Sequence, residues 1–139
     1  MQLCERYLLP PAVFYARLVL FVGYVMDQAA WAERVAAAFG RIKEMTVEEL
    51  AALLNDEVPI TLVDVRREEE RVGGVIDGDV SIPLPEFVQA LPDKVLDRDK
   101  ILVIYCAGGV RSAVAADDAM QLGYTQVYSL KGGFKAVAQ

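Results

Sequence analysis

Ile101, Leu102, Val103, Ile104 and Tyr105 form an unbroken apolar and aromatic run that passes directly into Cys106-Ala107-Gly108-Gly109-Val110-Arg111-Ser112. Such a run reads as the central strand of a sheet. The glycine pair behind it lets the backbone turn sharply. Residues 112–122, with Ala113, Val114, Ala116, Ala119, Met120 and Leu122, then read as a helix that stops at Gly123. Strand, tight glycine turn and helix therefore follow one another in that order.

The flanking segments extend this pattern. Thr46 caps a helix start, with Glu49 completing a capping box, and Leu50, Leu53 and Leu54 give that helix a buried face. Residues 60–63 read as a strand, residues 66–71 as an exposed charged loop or short helix, and Val80-Ser81-Ile82 as a short strand ending at Pro83. Residues 84–91 predict a brief helix, residues 92–100 a polar connection, and residues 127–130 a last strand. Apolar strands alternating with helices predict an α/β fold: an open, mostly parallel sheet flanked by helices, with the cysteine loop at the carboxyl end of a strand. The α/β unit is expected over residues 46–139, preceded by an N-terminal helical extension, residues 1–45.

Within that extension, residues 8–26 are apolar over about the length of a membrane span, but Pro10, Pro11 and Arg17 interrupt them. Two readings stand: contact with a membrane, or a hydrophobic docking helix or oligomer contact, such as a homodimer through residues 1–45. A cleaved signal is opposed by Glu5, by Arg17 and by the lack of a small-residue cleavage pattern. Trp31, Val35, Phe39 and Ile42 align on one face of a helix over residues 27–43 and predict a packing stripe.

A chain of 139 residues can bury one ordinary core. Fourteen basic against twenty acidic residues, a net charge of -6, leave no footprint for a nucleic-acid backbone. Histidine is absent, and Cys4 and Cys106 are the only cysteines. That removes zinc sites needing three or four such ligands, and serine-histidine or cysteine-histidine machinery with them. No metal and no cofactor are expected. The two cysteines read as free thiols in a reducing, cytoplasmic compartment rather than as a disulfide.

Several N–H groups of the turn can converge above Cys106, and the following helix adds the positive end of its dipole. The guanidinium of Arg111 can neutralise a bound anion or hold the loop by hydrogen bonds. This is a route to a thiolate without histidine. Such a thiolate can attack the outer sulfur of a sulfane donor, become a persulfide, and yield the sulfur to a second nucleophile. From the residues alone, a buried structural cysteine and an anion cradle of other purpose remain open, and Arg111 has its own reading as a surface ion pair.

The run CAGGVR, Cys106 to Arg111, resembles the active-site loop of the rhodanese family of sulfurtransferases, which opens on the catalytic cysteine and closes on arginine. Leu62-Val63-Asp64-Val65-Arg66 resembles that family's strand ending in aspartate-valine-arginine. Residues 74–83 are similar to its glycine-histidine-isoleucine to isoleucine-proline segment, and Leu130-Lys131-Gly132-Gly133-Phe134 to its leucine-x-glycine-glycine signature. The resemblance covers residues 46–139. It implies a Cys106 persulfide with Arg111 as its catalytic partner, a substrate-binding cradle of Ala107, Gly108, Gly109, Val110 and Arg111, and supporting roles for Asp64 and Arg66. It implies as partners a small sulfane-sulfur donor, such as thiosulfate or a persulfide, and a thiol or cyanide acceptor.

Three positions depart from the family pattern: Val75 where histidine is frequent, Asp79 where alanine is frequent, and Phe134 where tryptophan is common. The sequence also ends soon after Phe134, where many relatives continue into a longer helix. The Trp31 stripe is expected to cover that surface, within one chain or by exchange. The same residues admit other functions. A cysteine phosphatase or arsenate reductase also uses thiolate and arginine, but the similar phosphatases have a loop one residue longer than the four residues between Cys106 and Arg111. A protein-partner sulfur carrier or a regulatory binding domain is the stronger alternative.

Overall fold

A computed structural model describes residues 11–139; for residues 11–15, 17 and 21–26 it describes the backbone alone. Cys4 and the start of the apolar stretch, residues 8–10, lie outside the described residues. The chain divides between Arg34 and Val35 into an N-terminal unit and a second compact unit, Val35–Gln139.

The first helix, α1, runs over Pro11–Phe39 and exposes Leu18, Val19, Leu20 and Trp31. Among the described residues, no helix is long and apolar enough to cross a membrane. The helix expected over residues 27–43 is the later part of α1, and it ends earlier. Amides of Arg41 and Ile42 both donate to Ala38 O, which turns the chain out of the helix after Phe39. Ile42 therefore leaves the helical register. Ala38 is the fully buried residue, Val35 and Ile42 are half-buried, and Phe39 stays 42% exposed, so the expected stripe is broken.

Directly after that turn comes β1, Lys43–Met45, a strand with no counterpart in the sequence reading. Two of its three residues are charged, and only Met45 is buried. Such a short, charged strand suits a sheet edge, where one side faces solvent. Thr46 then caps α2, Val47–Asn55, with the expected box: Glu49 N–H donates to Thr46 Oγ1 at 3.1 Å, and Thr46 N–H to the Glu49 carboxylate at 3.3 Å.

The remaining strands are β2 (Ile60–Asp64), β3 (Val80–Ser81), β4 (Ile101–Tyr105) and β5 (Val127–Leu130). They complete a five-stranded sheet of order β1-β5-β4-β2-β3, and every pairing is parallel. The central strand is β4, as its apolar run predicts. Side chains alternate across it. Leu102 and Ile104 pack with Val63, Val65, Phe87, Leu91, Ala115 and Ala119 on one face, while Val103 and Tyr105 pack with Met45, Leu50, Leu62 and Leu130 on the other. The α/β sheet flanked by helices is thus the observed fold.

Two helices cover the first face. A 3₁₀ turn, Leu84–Glu86, leads into α3, Phe87–Lys94, and α4 spans Val110–Gln121. Helix α3 runs past Pro92, where the sequence suggested a polar connection. Burial of Phe87 and Leu91 outweighs the one N–H that proline lacks, and Val95 N–H still closes onto Leu91 O at 2.8 Å. Gly123 follows α4 with φ +95, the left-handed residue expected at a helix end. A short last helix, α5, covers Gly133–Val137.

Parallel strands send all their carboxyl ends to one edge of the sheet. Asp64, Ser81, Tyr105 and Leu130 therefore terminate side by side, and the loops beyond them meet.

Candidate active site

Cys106 leaves the end of β4 and is 1% exposed. Residues 107–109 form the turn, and Gly109 adopts φ +104 as the residue before α4. That left-handed conformation reverses the chain so that amides point back at the sulfur. Gly109 N–H donates to Cys106 Sγ at 3.1 Å, and Ser112 N–H at 3.4 Å. The thiol itself reaches Ser112 Oγ at 3.5 Å. Ser112 Oγ in turn lies 2.8 Å from Ser129 Oγ, and both serines are fully buried. In the thiolate form the Ser112 hydroxyl becomes the donor to sulfur.

These contacts fix the direction of the Cys106 pKa. Burial pushes the thiol up. The Ser112 hydroxyl and the amides of Ser112, Gly109 and Gly108 outweigh burial and hold it below the usual thiol value. The stabilisation comes from dipoles.

Carbonyls of the same turn face the opposite way, into α5. Phe134 N–H donates to Cys106 O at 2.8 Å, and Lys135 N–H to Ala107 O at 3.1 Å. The free amides at the start of α5 thus hold the oxygens outward while the turn's own amides face inward. Gly133 makes this approach feasible. With φ +61, a Cβ there would lie 2.5 Å from Cys106 O and 2.6 Å from Ala107 O.

Arg111, expected as catalytic partner or loop holder, sits in the first turn of α4. Its guanidinium is taken by Glu70, with Nη1 and Nη2 donating to the two carboxylate oxygens at 2.8 and 2.9 Å. Glu70 belongs to a 3₁₀ turn, Glu68–Gly73, and also accepts the Arg67 N–H at 2.8 Å. Arg111 above all, then the Arg67 amide, hold its carboxyl at about 2. The pair ties the cysteine loop to the segment after β2.

Residues 66–71, expected to be exposed, turn their first arginine inward: Arg66 is buried. Its Nε and Nη2 and its own N–H donate to the fully buried Asp64 carboxylate at 2.9 to 3.1 Å. Its Nη2 also donates to Gly74 O at 2.8 Å, and its charge lies 4.5 Å from the Phe134 ring centre. Arg71 Nη1 bridges the Asp64 and Asp79 carboxylates, 2.8 Å from each. Tyr105 Oη donates to Asp79 and accepts Ile76 N–H at 3.1 Å. Burial first, then the bond to Asp79, push the Tyr105 hydroxyl well above its usual range.

The structure therefore brings together every residue named from the sequence: Cys106, the turn of Ala107, Gly108, Gly109 and Val110, Arg111, and the pair Asp64 and Arg66. Ala107 and Arg111 are half-buried, while Gly108 and Val110 are exposed. Asp79, which stood out for replacing alanine, is the second carboxylate of Arg71. Sequence reasoning missed Ser112 and Ser129 as partners of the sulfur and Glu70 as partner of Arg111. Ser112 adjoins the loop and could have been found. Nothing local distinguishes Glu70 from Glu68 and Glu69, and Ser129 meets Ser112 only through the fold.

A buried thiol held by amides at the start of a helix, on the carboxyl edge of a parallel sheet, marks an α/β domain with a cysteine-centred site. The profile of the Rhodanese-like domain matches residues 46–139, and the chain belongs to that family. A protein of Allochromatium vinosum named as a sulfurtransferase is 35% identical, over 70% of this chain and 90% of its own. The human single-domain sulfurtransferase TSTD1 superimposes with a TM-score of 0.62 at 29% identity, covering 68% of this chain and 94% of its own. A Rhodopseudomonas palustris structure, described as of unknown function and a possible tyrosine phosphatase, gives a TM-score of 0.68 at 29% identity over 76% of this chain and 86% of its own.

Proposed function

We propose that this domain is a sulfurtransferase, moving sulfane sulfur from thiosulfate or another persulfide donor to a thiol or cyanide through a persulfide on Cys106. The observation that carries this reading is the sulfur itself: buried, free and held by the Gly109 and Ser112 amides and the Ser112 hydroxyl. Those donors favour a thiolate, the attacking form, where no histidine exists to take its proton.

In the first step the Cys106 thiolate attacks the outer sulfur of the donor. A new S–S bond forms, the donor's own bond to that sulfur breaks, and its electron pair leaves with the remnant as sulfite or thiolate. The outer sulfur then lies in the turn, framed by the backbone of residues 107–111. In the second step an acceptor thiolate or cyanide attacks that outer sulfur, and Cys106 departs as the thiolate it began as. No electrons enter or leave the protein. Asp64 and Arg66 act at one remove, by fixing the strand ends against which the turn rests. The free thiol suits a reducing, cytoplasmic compartment.

Thiocyanate formation from cyanide with each donor, compared between the native chain and Cys106→Ser, tests this. Donor-dependent product that vanishes with the serine supports it; equal product from both removes Cys106 from the reaction. The burial of Cys106, 1% exposed, favours a second reading, a carrier that passes sulfur to a docked protein. That reading predicts persulfide formation without multiple turnovers on small acceptors. Phosphatase or arsenate reductase chemistry is less well supported, because the four-residue turn aims its amides at Sγ and leaves a narrower cradle than a tetrahedral oxyanion needs.

A further inference from the structure

Three guanidinium groups stand at the carboxyl edge of the sheet near Cys106, and each is committed to a carboxylate. Arg66 is bound to Asp64, Arg71 to Asp64 and Asp79, and Arg111 to Glu70. Arg67 lies 3.8 Å from Glu70 as well, and Glu68 lies 3.8 Å from Arg71, so four positive charges meet four negative ones and this cluster adds no net charge to the mouth of the loop. Exposed Glu68 and Glu69 adjoin Glu70 on the same turn. The sulfur is activated by hydrogen-bond dipoles, which act at contact and attract little from a distance.

Charge then separates the two kinds of donor. When the Cys106 thiolate meets thiosulfate, three negative charges converge, and the products, a persulfide anion and sulfite, carry the same three. When it meets a protonated hydropersulfide, R–S–SH, one negative charge is present throughout: Cys106 gains S–SH, the donor S–S bond breaks, and R–S⁻ leaves with the electron pair. A cationic mouth offsets the first encounter beyond what the turn's amides supply, and Glu70 cancels the cation best placed to provide it.

Resting on the sulfurtransferase reading above, the geometry points to Glu70 as a specificity-determining residue that withholds Arg111 from anionic donors and selects hydropersulfides of thiols over thiosulfate. Glu70 touches neither the sulfur nor the turn's amides, so its effect is on donor choice. The arrangement of the thiolate is left to Gly109 and Ser112.

The test measures kcat/KM for thiosulfate and for cysteine hydropersulfide, with cyanide as common acceptor, in the native chain and in Glu70→Gln. The native chain is expected to prefer the hydropersulfide. Removing one charge beside a dianion raises the thiosulfate-to-hydropersulfide ratio on the order of tenfold. An unchanged or lower ratio in a folded Glu70→Gln protein overturns the inference and leaves the sulfurtransferase reading intact. Absence of sulfur transfer from either donor overturns both. Should the variant fail to fold, the native protein decides through ionic strength. Thiosulfate kcat/KM is expected to stay flat or rise with salt, and a steep fall, the mark of an attractive mouth, overturns the inference.

Discussion

Ser112→Ala removes the one hydroxyl, among the described residues, that lies within reach of Cys106 Sγ. Hydrogen bonds to charged groups contribute about 1.5–3 kcal/mol. This contact is long, 3.5 Å, and the Gly109 and Ser112 amides remain after the substitution, so the lower end applies. About 1.4 kcal/mol corresponds to a factor of roughly ten in thiolate population at a pH below the thiol midpoint. Alkylation of Cys106 by iodoacetamide, followed against pH, should show a midpoint moved upward and a rate lowered about tenfold on the acidic side. At high pH, where the thiol is ionised in both proteins, the rates should converge. The same change leaves the buried Ser129 hydroxyl without its partner, at a cost of about 1–3 kcal/mol in stability, so unfolding must be measured alongside. Ser129→Ala is the control: it should destabilise without moving the alkylation midpoint as far. A folded Ser112→Ala protein with the native alkylation profile refutes the account of how the thiol is activated.

Gly133→Ala should destabilise by about 2–4 kcal/mol, combining left-handed strain with the clash against Cys106 O and Ala107 O, and should lower persulfide loading in thermal-unfolding and mass measurements; native values for both would exclude the close approach. Glu70 gives a signature in acid. Its folded carboxyl, held at about 2 by Arg111, takes up a proton less readily than the unfolded chain does, so its contribution is complete above the ordinary carboxylate range and fades as pH falls towards 2. Glu70→Gln should flatten that limb of a urea-unfolding series, and an unaltered limb would contradict the pairing. A fragment of residues 46–139 lacks β1, its pairing with β5 and the Arg41–Asp117 ion pair. Its denaturation midpoint should fall well below that of a 35–139 fragment, and equal midpoints would mean the edge strand adds nothing.

The elements that could be read from sequence are those whose signals are local. The apolar run of β4, the Thr46–Glu49 box and Gly123 after α4 each depend on residues a few positions apart, and each forms as read. Local signals fall short where distant parts of the chain decide. Lys43-Glu44-Met45 has no strand pattern of its own and becomes β1 because β5 offers it a partner. Arg66 reads as exposed until Asp64, Gly74 and Phe134 enclose it. The site divides in the same way. The cysteine turn is contiguous and was legible, whereas Glu70 lies 41 positions from Arg111, and Ser129 lies 17 from Ser112.

Asp79 shows how a departure from a family pattern can be absorbed. A carboxylate in place of alanine would be costly among buried groups without a counter-charge. Here Arg71 bridges Asp64 and Asp79, and the Tyr105 hydroxyl supplies a further donor. The added charge is thereby bound into the strand end that carries Cys106.

Intact-protein mass measurement addresses the central claim most directly: the chain is reduced, exposed to cysteine hydropersulfide or thiosulfate, freed of donor, and then chased with a thiol. Sulfur carriage by Cys106 predicts a gain of one sulfur atom, absent in Cys106→Ser and reversed by the chase. A mass that never changes with either donor, or a gain that persists in Cys106→Ser, would contradict it.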